Sequence, residues 1–210
     1  MSRLTPTWDL VTAYADAGRP IIGIDEVGRG AWAGPVVAGA VILRPGLIID
    51  GLNDSKLVPA KRRLELDVQI RAQAVAYGLG WVWPAEVDEF GLSWAVAESG
   101  RRAITGITKS GFSLAAPPII ILDGKWNYLA PTHDAVAIVK ADSLVPPVAA
   151  GSIIAKVARD TYMAEAEKTH PGYGFAAHVG YGTVAHRQAL ASHGPTPIHR
   201  LSYKPLSQYV

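Results

Sequence analysis

The sequence predicts an α/β core, on three grounds. Short apolar runs rich in β-branched residues alternate along the chain with longer stretches of helix formers. Several of those runs are bounded by Asp, Gly or Pro, the residues that delimit strands. Hydrophobic residues make up 49% of the 210, enough to enclose one substantial core.

Taken in order, residues 1–20 read as a short helical or irregular lead-in. The first strand is Ile21-Ile22-Gly23-Ile24, which runs into Asp25-Glu26 and then Val27-Gly28-Arg29-Gly30. Pro35 to Leu43, rich in β-branched residues, is the second strand. After a polar break at 51–56, Pro59 to Ala76 has good helix formers, a proline in the first turn and apolar residues at Leu64, Val68, Ala72 and Val75. Tyr77 to Trp83 alternates small and large apolar residues as a strand does, Pro84 to Asp88 opens a short helix, and Leu92 to Ile107 gives a longer one. Ile119 to Leu122, set between Pro-Pro and Asp123-Gly124, reads as a buried central strand. Ala135 to Val139 is another strand, and Val148 to Lys168 the longest helix. From His170 the chain becomes rich in Gly, His and Tyr, with a helix near Thr183 to His193. The expected organisation is a core over 1–169 and a C-terminal helical extension and tail over 170–210.

Composition narrows the function classes. With no cysteine, disulfides and thiolate metal sites are excluded, and a reducing compartment is compatible. The net charge of +2 suits a nucleic-acid partner without demanding one. The first nine residues lack the apolar core of a signal peptide, and the longest uncharged apolar run, Ala31 to Leu43, is too short to span a bilayer. A cytoplasmic protein with no membrane partner is expected.

The chemistry lies at strand ends. Asp25 and Glu26 close the first strand, Asp123 the fourth, and Asp142 follows the fifth. If those strands are neighbours, four carboxylates converge, and such a cluster is tolerable only with divalent cations to neutralise it. Oxygen ligands favour Mg²⁺ or Mn²⁺ over zinc, and two such ions suit phosphodiester hydrolysis. Each carboxylate alone has a simpler reading: Asp123-Gly124 is a turn, and Asp142 or Ser143 could cap the following helix.

Gly28-Arg29-Gly30 fits neither a dinucleotide fingerprint nor a P-loop, because a strand follows and no Gly-Lys-Ser/Thr does. It is either a plain turn or a loop whose backbone approaches a ribose or phosphate while Arg29 pairs with a phosphate oxygen. The histidines form no metal site by spacing, and His199-Arg200 reads as a polyanion contact or surface cation. The six tryptophans read as core or packing residues. Tyr173 and Tyr181, in glycine-rich surroundings, read as exposed rings able to stack on a sugar or base.

With these residues together, the chain resembles a bacterial ribonuclease HII from about Pro20 to Pro205. The likeness rests on separated motifs in the family's order: Gly23 to Gly30 with Ala33 to Val37, Leu52 to Lys56, Leu122-Asp123-Gly124, and Lys140 to Ser143 with Ala149 to Lys156. Tyr173 to His186 and His199 to Tyr203 complete it. The resemblance implies an RNase H-like mixed β-sheet flanked by helices, with a C-terminal helical extension. It implies a two-metal endonuclease that hydrolyses RNA in RNA–DNA hybrids and cuts 5′ to ribonucleotides embedded in duplex DNA, leaving a 3′-hydroxyl and a 5′-phosphate.

Carried onto this sequence, Asp25, Glu26, Asp123 and Asp142 are the catalytic and metal-binding carboxylates, with two Mn²⁺ or Mg²⁺ ions and Asp25 shared between them. Gly28, Arg29 and Gly30 read the 2′-OH and adjacent phosphate, and Tyr181 packs against that sugar. Lys56, and Ser152 or Lys156, are candidates for backbone contacts. The partners implied are RNA–DNA hybrid and ribonucleotide-containing duplex DNA, bound by a monomer. The chain departs from the family's pattern at Ala31-Trp32, Leu57, Ala141 and Val179, which should weaken duplex affinity and, through Trp32, alter the rim of the site. The alternatives are a ribonuclease HIII-type enzyme, which carries a long N-terminal platform, and a binding module of this fold that has lost catalysis; intact carboxylates argue against the second.

Overall fold

A computed structural model of the chain describes residues 5–16, 18–109 and 116–209. Five strands form one mixed sheet: β1 (Ile21–Val27), β2 (Val36–Ile42), β3 (Ala76–Val82), β4 (Ile119–Asp123) and β5 (Ala135–Ile138). Their order is β3-β2-β1-β4-β5. β1 pairs antiparallel with β2 and parallel with β4, and β4 pairs parallel with β5. The C-terminal ends of β1, β4 and β5 therefore share one edge of the sheet.

The helices are α1 (Thr12–Asp16), α2 (Ala60–Gln73), α3 (Pro84–Phe90), α4 (Leu92–Lys109), α5 (Pro146–Thr169), α6 (Phe175–His178) and α7 (Val184–His193). α4 covers one face of the sheet through Val96, Ala103 and Ile107, against Ile22, Ile24 and Ile120. α5 covers the other, burying Val148 against Ile21 and Ile121, and Ile153 against Val41. This is the α/β mixed sheet with flanking helices that the sequence implies. Among the described residues no helix is long and apolar enough to cross a membrane.

Two faces of the sheet are built for close approach. β3 buries Ala76, Gly78, Gly80 and Val82 and leaves Tyr77, Leu79 and Trp81 half-buried. The small residues allow α4 to lie directly on the strand: a Cβ on Gly80 would sit 1.9 Å from the Ser99 carbonyl oxygen. On the opposite face α5 meets β2 backbone to backbone. A Cβ on Gly39 would sit 2.3 Å from the Gly151 oxygen, and one on Gly151 would sit 2.6 Å from the Gly39 oxygen.

Three sequence expectations are corrected here. α2 buries Leu66 and Ile70, whereas Leu64 and Val68 are 56% and 68% exposed. Residues 64, 66, 68 and 70 are all apolar, so two stripes compete, and packing against Ile153 and Ile154 of α5 selects the one the helical spacing alone did not. The tryptophans divide: Trp8, Trp32 and Trp94 are partly buried and pack against core clusters, as expected, whereas Trp83 and Trp126 are 43% and 49% exposed. Asp142 and Ser143 do not cap α5, which begins at Pro146 after Val145 with no side-chain cap; they form a separate 3-10 turn, Ala141–Ser143.

Candidate active site

Strand alternation sorts the carboxylates before any contact is considered. Asp25 follows Ile21 and Gly23 onto the α5 face of β1, and Glu26 follows Ile22 and Ile24 onto the α4 face. Asp25 is 5% exposed, hydrogen-bonded to the Ser152 hydroxyl of α5, and its Oδ1 accepts from the Glu26 backbone N–H at 2.8 Å. Glu26 takes Arg29 Nη1 at 3.0 Å on Oε1, while the buried Tyr128 hydroxyl lies 3.5 Å from Oε2. Asp123, at the end of β4 beside β1, has an Oδ1 shielded from solvent with no hydrogen-bond partner. Asp142, in the 3-10 turn beyond β5, is 4% exposed, with Lys56 Nζ 3.7 Å from its Oδ2 and 3.3 Å from Asp54 Oδ1.

Asp25, Glu26 and Asp123 share a cleft of about 440 Å³ with Gly28, Arg29, Gly30, Lys56, Lys156 and Tyr181. Asp142 is outside that wall and joins the group through its charge on Asp123. Burial first, then the neighbouring Glu26, holds the Asp25 carboxyl well above the usual range. Burial raises Glu26 too, against the opposing pull of Arg29. Asp142 is pushed up to about 6 by burial and by Asp123 and Asp54. Burial works to lower the Lys56 ammonium, but Asp25, Asp54 and Asp142 outweigh it and raise it.

The opposite wall is braced by buried cations. Arg159 of α5 is fully buried and donates to Pro35 O at 2.9 Å, Ala33 O at 3.0 Å and Val179 O at 2.9 Å. Arg200 is equally buried and donates to Gly34 O through Nε and Nη2 and to Arg29 O at 3.1 Å. Burial lowers Arg159 to about 10. Together they tie down the turn from Gly28 to Pro35. Gly28 is dictated by this brace, since a Cβ there would lie 2.3 Å from Arg159 Nε. Gly30 is not: a Cβ there would meet only Tyr181, at an ordinary 3.9 Å, so its bare backbone is open towards the cleft.

The segment that carries Tyr181 is fixed with similar density. Gly180 O accepts from Trp32 N and Ala33 N at 2.8 and 3.2 Å, and the Tyr181 ring has Arg159 at 5.7 Å from its centroid. Val179 has φ 44°, an uncommon conformation for a β-branched residue, and the Arg159 bond to its carbonyl holds it there.

The structure thus brings Asp25, Glu26, Asp123, Gly28, Arg29, Gly30, Lys56 and Tyr181 to one cleft, with Asp142 adjoining. Lys156 lines it but is paired with Asp160 at 2.8 Å, and Ser152 serves Asp25 from inside the core. Two expectations are corrected. His199 and Arg200 are 2% and 0% exposed and act as internal struts, not as a surface cation. Tyr173 is buried, stacks on Phe175 and donates to Gly194 O at 2.6 Å, so of the two tyrosines only Tyr181, 37% exposed, lines the cleft. Sequence reading missed Tyr128, Asp54 and Arg159. For Arg159 a signal existed: it lies two helical turns beyond Ser152 and one turn before Met163, on the buried stripe of α5.

The donor set fits hard divalent cations. Among the described residues no three His, Asp or Glu side chains are drawn together as a finished coordination set. The carboxylates repel one another, and Asp123, which raises Asp25, Glu26 and Asp142 alike, keeps a buried oxygen without a donor. A cation beside Asp123 would answer both the orphaned oxygen and the repulsion.

Comparison with known proteins follows the same lines. The family model for ribonuclease HII matches residues 22–206. A ribonuclease HII of Nitrosococcus oceani is 44% identical over 194 residues, covering 92% of this chain and 92% of that protein. The solved ribonuclease H2 of Pyrococcus horikoshii OT3 has a TM-score of 0.71 at 24% identity, covering 90% of this chain and 96% of that one. Bst-RNase HIII in complex with Mn²⁺ has a TM-score of 0.70 at 19% identity, covering 91% of this chain and 69% of that one. These two likenesses speak for the fold.

Proposed function

The chain belongs to the ribonuclease HII family and is an RNase H type endonuclease; from that premise we propose that it is metal-dependent and cuts both RNA–DNA hybrids and duplex DNA 5′ to embedded ribonucleotides, leaving a 3′-hydroxyl and a 5′-phosphate. The observation that carries this reading is the cluster of underpaired carboxylates, with Asp123 at its centre, facing a bare glycine loop across one cleft. Asp25, Glu26, Asp123 and Asp142 would hold two Mg²⁺ or Mn²⁺ ions, as their oxygen donors and mutual repulsion favour. When bound, such ions supply Lewis-acid polarisation of the scissile phosphate and a water activated near neutral pH. The solved ribonuclease HIII of this fold is a complex with Mn²⁺.

The chain's own residues bind and orient the substrate. Arg29 is 57% exposed at its side chain and swings between Glu26 and a phosphate oxygen of the strand to be cut. The open backbone at Gly30 meets the 2′-OH, the group that distinguishes RNA from DNA at one position. Tyr181 packs beneath the same sugar, and Lys56 offsets the negative charge that phosphate and carboxylates bring together. Among the described residues no histidine lines the cleft, so no imidazole is placed to turn the 2′-OH into a nucleophile.

The test is a duplex with one embedded ribonucleotide, incubated with Mg²⁺ or Mn²⁺ and analysed by mass spectrometry. A 5′-phosphate on the ribonucleotide fragment and a 3′-hydroxyl upstream are expected. A 2′,3′-cyclic phosphate, or cleavage undiminished by EDTA, would overturn the reading.

A further inference from the structure

Five hydrogen bonds in the C-terminal segment determine where three protons sit. Thr196 N–H points at His199 Nδ1 at 2.8 Å and the Thr196 hydroxyl lies 2.9 Å from it, both nearer than the Thr196 carbonyl oxygen at 3.3 Å, so that nitrogen is an acceptor and the neutral ring carries its proton on Nε2. His199 Nε2 is 3.0 Å from His186 Nε2, and His186 Nδ1 is 3.0 Å from the Tyr181 carbonyl oxygen. A carbonyl can only accept, so His186 donates from Nδ1, and its Nε2 is left to accept the proton His199 offers. His178 is fixed independently: Gly180 N–H donates to its Nδ1 at 3.2 Å, and its Nε2 donates to Tyr173 O at 2.7 Å.

The chain Thr196 N–H to His199 to His186 to Tyr181 O thus runs in one direction. His186 and His199 are 0% and 2% exposed, and the His178 ring stacks on His186 at 4.5 Å. Burial pushes His199 down to about 4, which keeps the chain neutral. A proton added to His199 Nδ1 would oppose Thr196 N–H, and one added to His186 Nε2 would oppose His199 Nε2–H. The far end is the backbone of Tyr181, which lines the cleft, and Thr183 N, at 2.8 Å, is another donor to the same carbonyl.

We propose that His186 and His199 are positioning residues: a tautomer-locked histidine pair that fixes the Tyr181 backbone and so sets its ring against the Gly30 side of the cleft. This rests on the reading of Tyr181 as a sugar contact. The alternative is that the histidines merely fill space among Phe175, Trp32 and Tyr173.

Two measurements decide it. Nitrogen-15 shifts of the imidazoles in the full-length wild-type protein, near neutral pH, should show His186 protonated on Nδ1 and His178 and His199 on Nε2. Cleavage at a single embedded ribonucleotide is then compared for His186→Asn, whose amide N–H replaces the Nδ1 donor to Tyr181 O, and His186→Gln, whose amide reaches only the Nε2 position. Asn should stay within about threefold of wild type and Gln should lose about tenfold, with no further loss when Gln is combined with Tyr181→Ala. A space-filling role would not separate the two amides.

His186 protonated on Nε2 would overturn the inference whatever the kinetics. Asn and Gln behaving alike, beside a damaging Tyr181→Ala, would overturn it and spare the reading of Tyr181. Wild-type cleavage by Tyr181→Ala would remove that reading, and with it the functional half of the inference, while leaving the nitrogen shifts in place.

Discussion

At the sheet edge, Asp25, Glu26 and Asp142 are buried among like charges, and each holds a proton more tightly than a solvated carboxyl. Across the cleft, Arg159 and Arg200 are buried too, yet they are spent on the carbonyls of Arg29, Ala33, Gly34 and Pro35. The first wall is charged and underpaired; the second is charged and satisfied. Buried charge is costly in either place unless it finds a partner. The arginine-braced wall has its partners within the chain, so its shape does not wait on a ligand. On the proposed reading the carboxylate wall would take cations as its partners, and its energy would fall when they bind.

The largest expected break in this contrast is Asp123→Asn. An amide weakens cation binding but leaves Arg29, Lys56 and Tyr181 in place, so cleavage should fall by about a thousandfold or more while hybrid binding persists. In EDTA the same variant should melt at or above the wild-type midpoint, because one charge that raises Asp25, Glu26 and Asp142 is gone. Near-wild-type cleavage at saturating Mg²⁺ or Mn²⁺, or a large drop in midpoint, would mean the wall is not frustrated as described.

Arg200→Met probes the satisfied wall and should do the reverse. It strips donors from Gly34 O and Arg29 O, at a cost of about 3 kcal/mol, or about 6–12 °C in melting midpoint. The loss should be the same in EDTA and in Mg²⁺. A midpoint within error of wild type would show that the turn from Gly28 to Pro35 holds without its brace.

Acid gives the smallest effect, and its sign differs between Asp142 and His199. Asp142, raised to about 6, stabilises the fold below the ordinary carboxylate range, and that contribution is lost as pH rises through about 6. His199, lowered to about 4, contributes stability that is intact above the ordinary histidine value of about 6.5 and is lost as pH falls towards about 4. In EDTA, Asp142→Asn should therefore lose a few degrees more than wild type between about pH 7 and about pH 5. Parallel melting curves for the two proteins would show that Asp142 does not titrate in that window.

How legible these features were follows from how local their causes are. β2 is a continuous apolar run, β1 and β4 are apolar up to their carboxylates, and α5 reads as the longest helix from Val148, two residues after its start at Pro146. The carboxylates were legible because each sits near or just beyond a strand end and the parallel order of β1, β4 and β5 does the gathering. Arg200 was not, because its partner Gly34 lies 166 residues away and nothing near His199 announces burial. Tyr173 and Tyr181 share a glycine-rich setting, and tertiary partners, the rings of Phe175, His193 and His199 and the Gly194 carbonyl, separate the buried one from the exposed one.

The Gly39–Gly151 contact behaves as a machined stop. Where side chains separate a helix from a sheet, rotamer changes can absorb a shift; here backbone meets backbone and nothing is compressible. A Cβ on Gly151 would also stand 3.4 Å from the Asp25 nitrogen, so the stop lies directly behind Asp25. The distance from Ser152 to Asp25 is thereby referenced to main-chain geometry, and small repacking elsewhere in the core does not reach it.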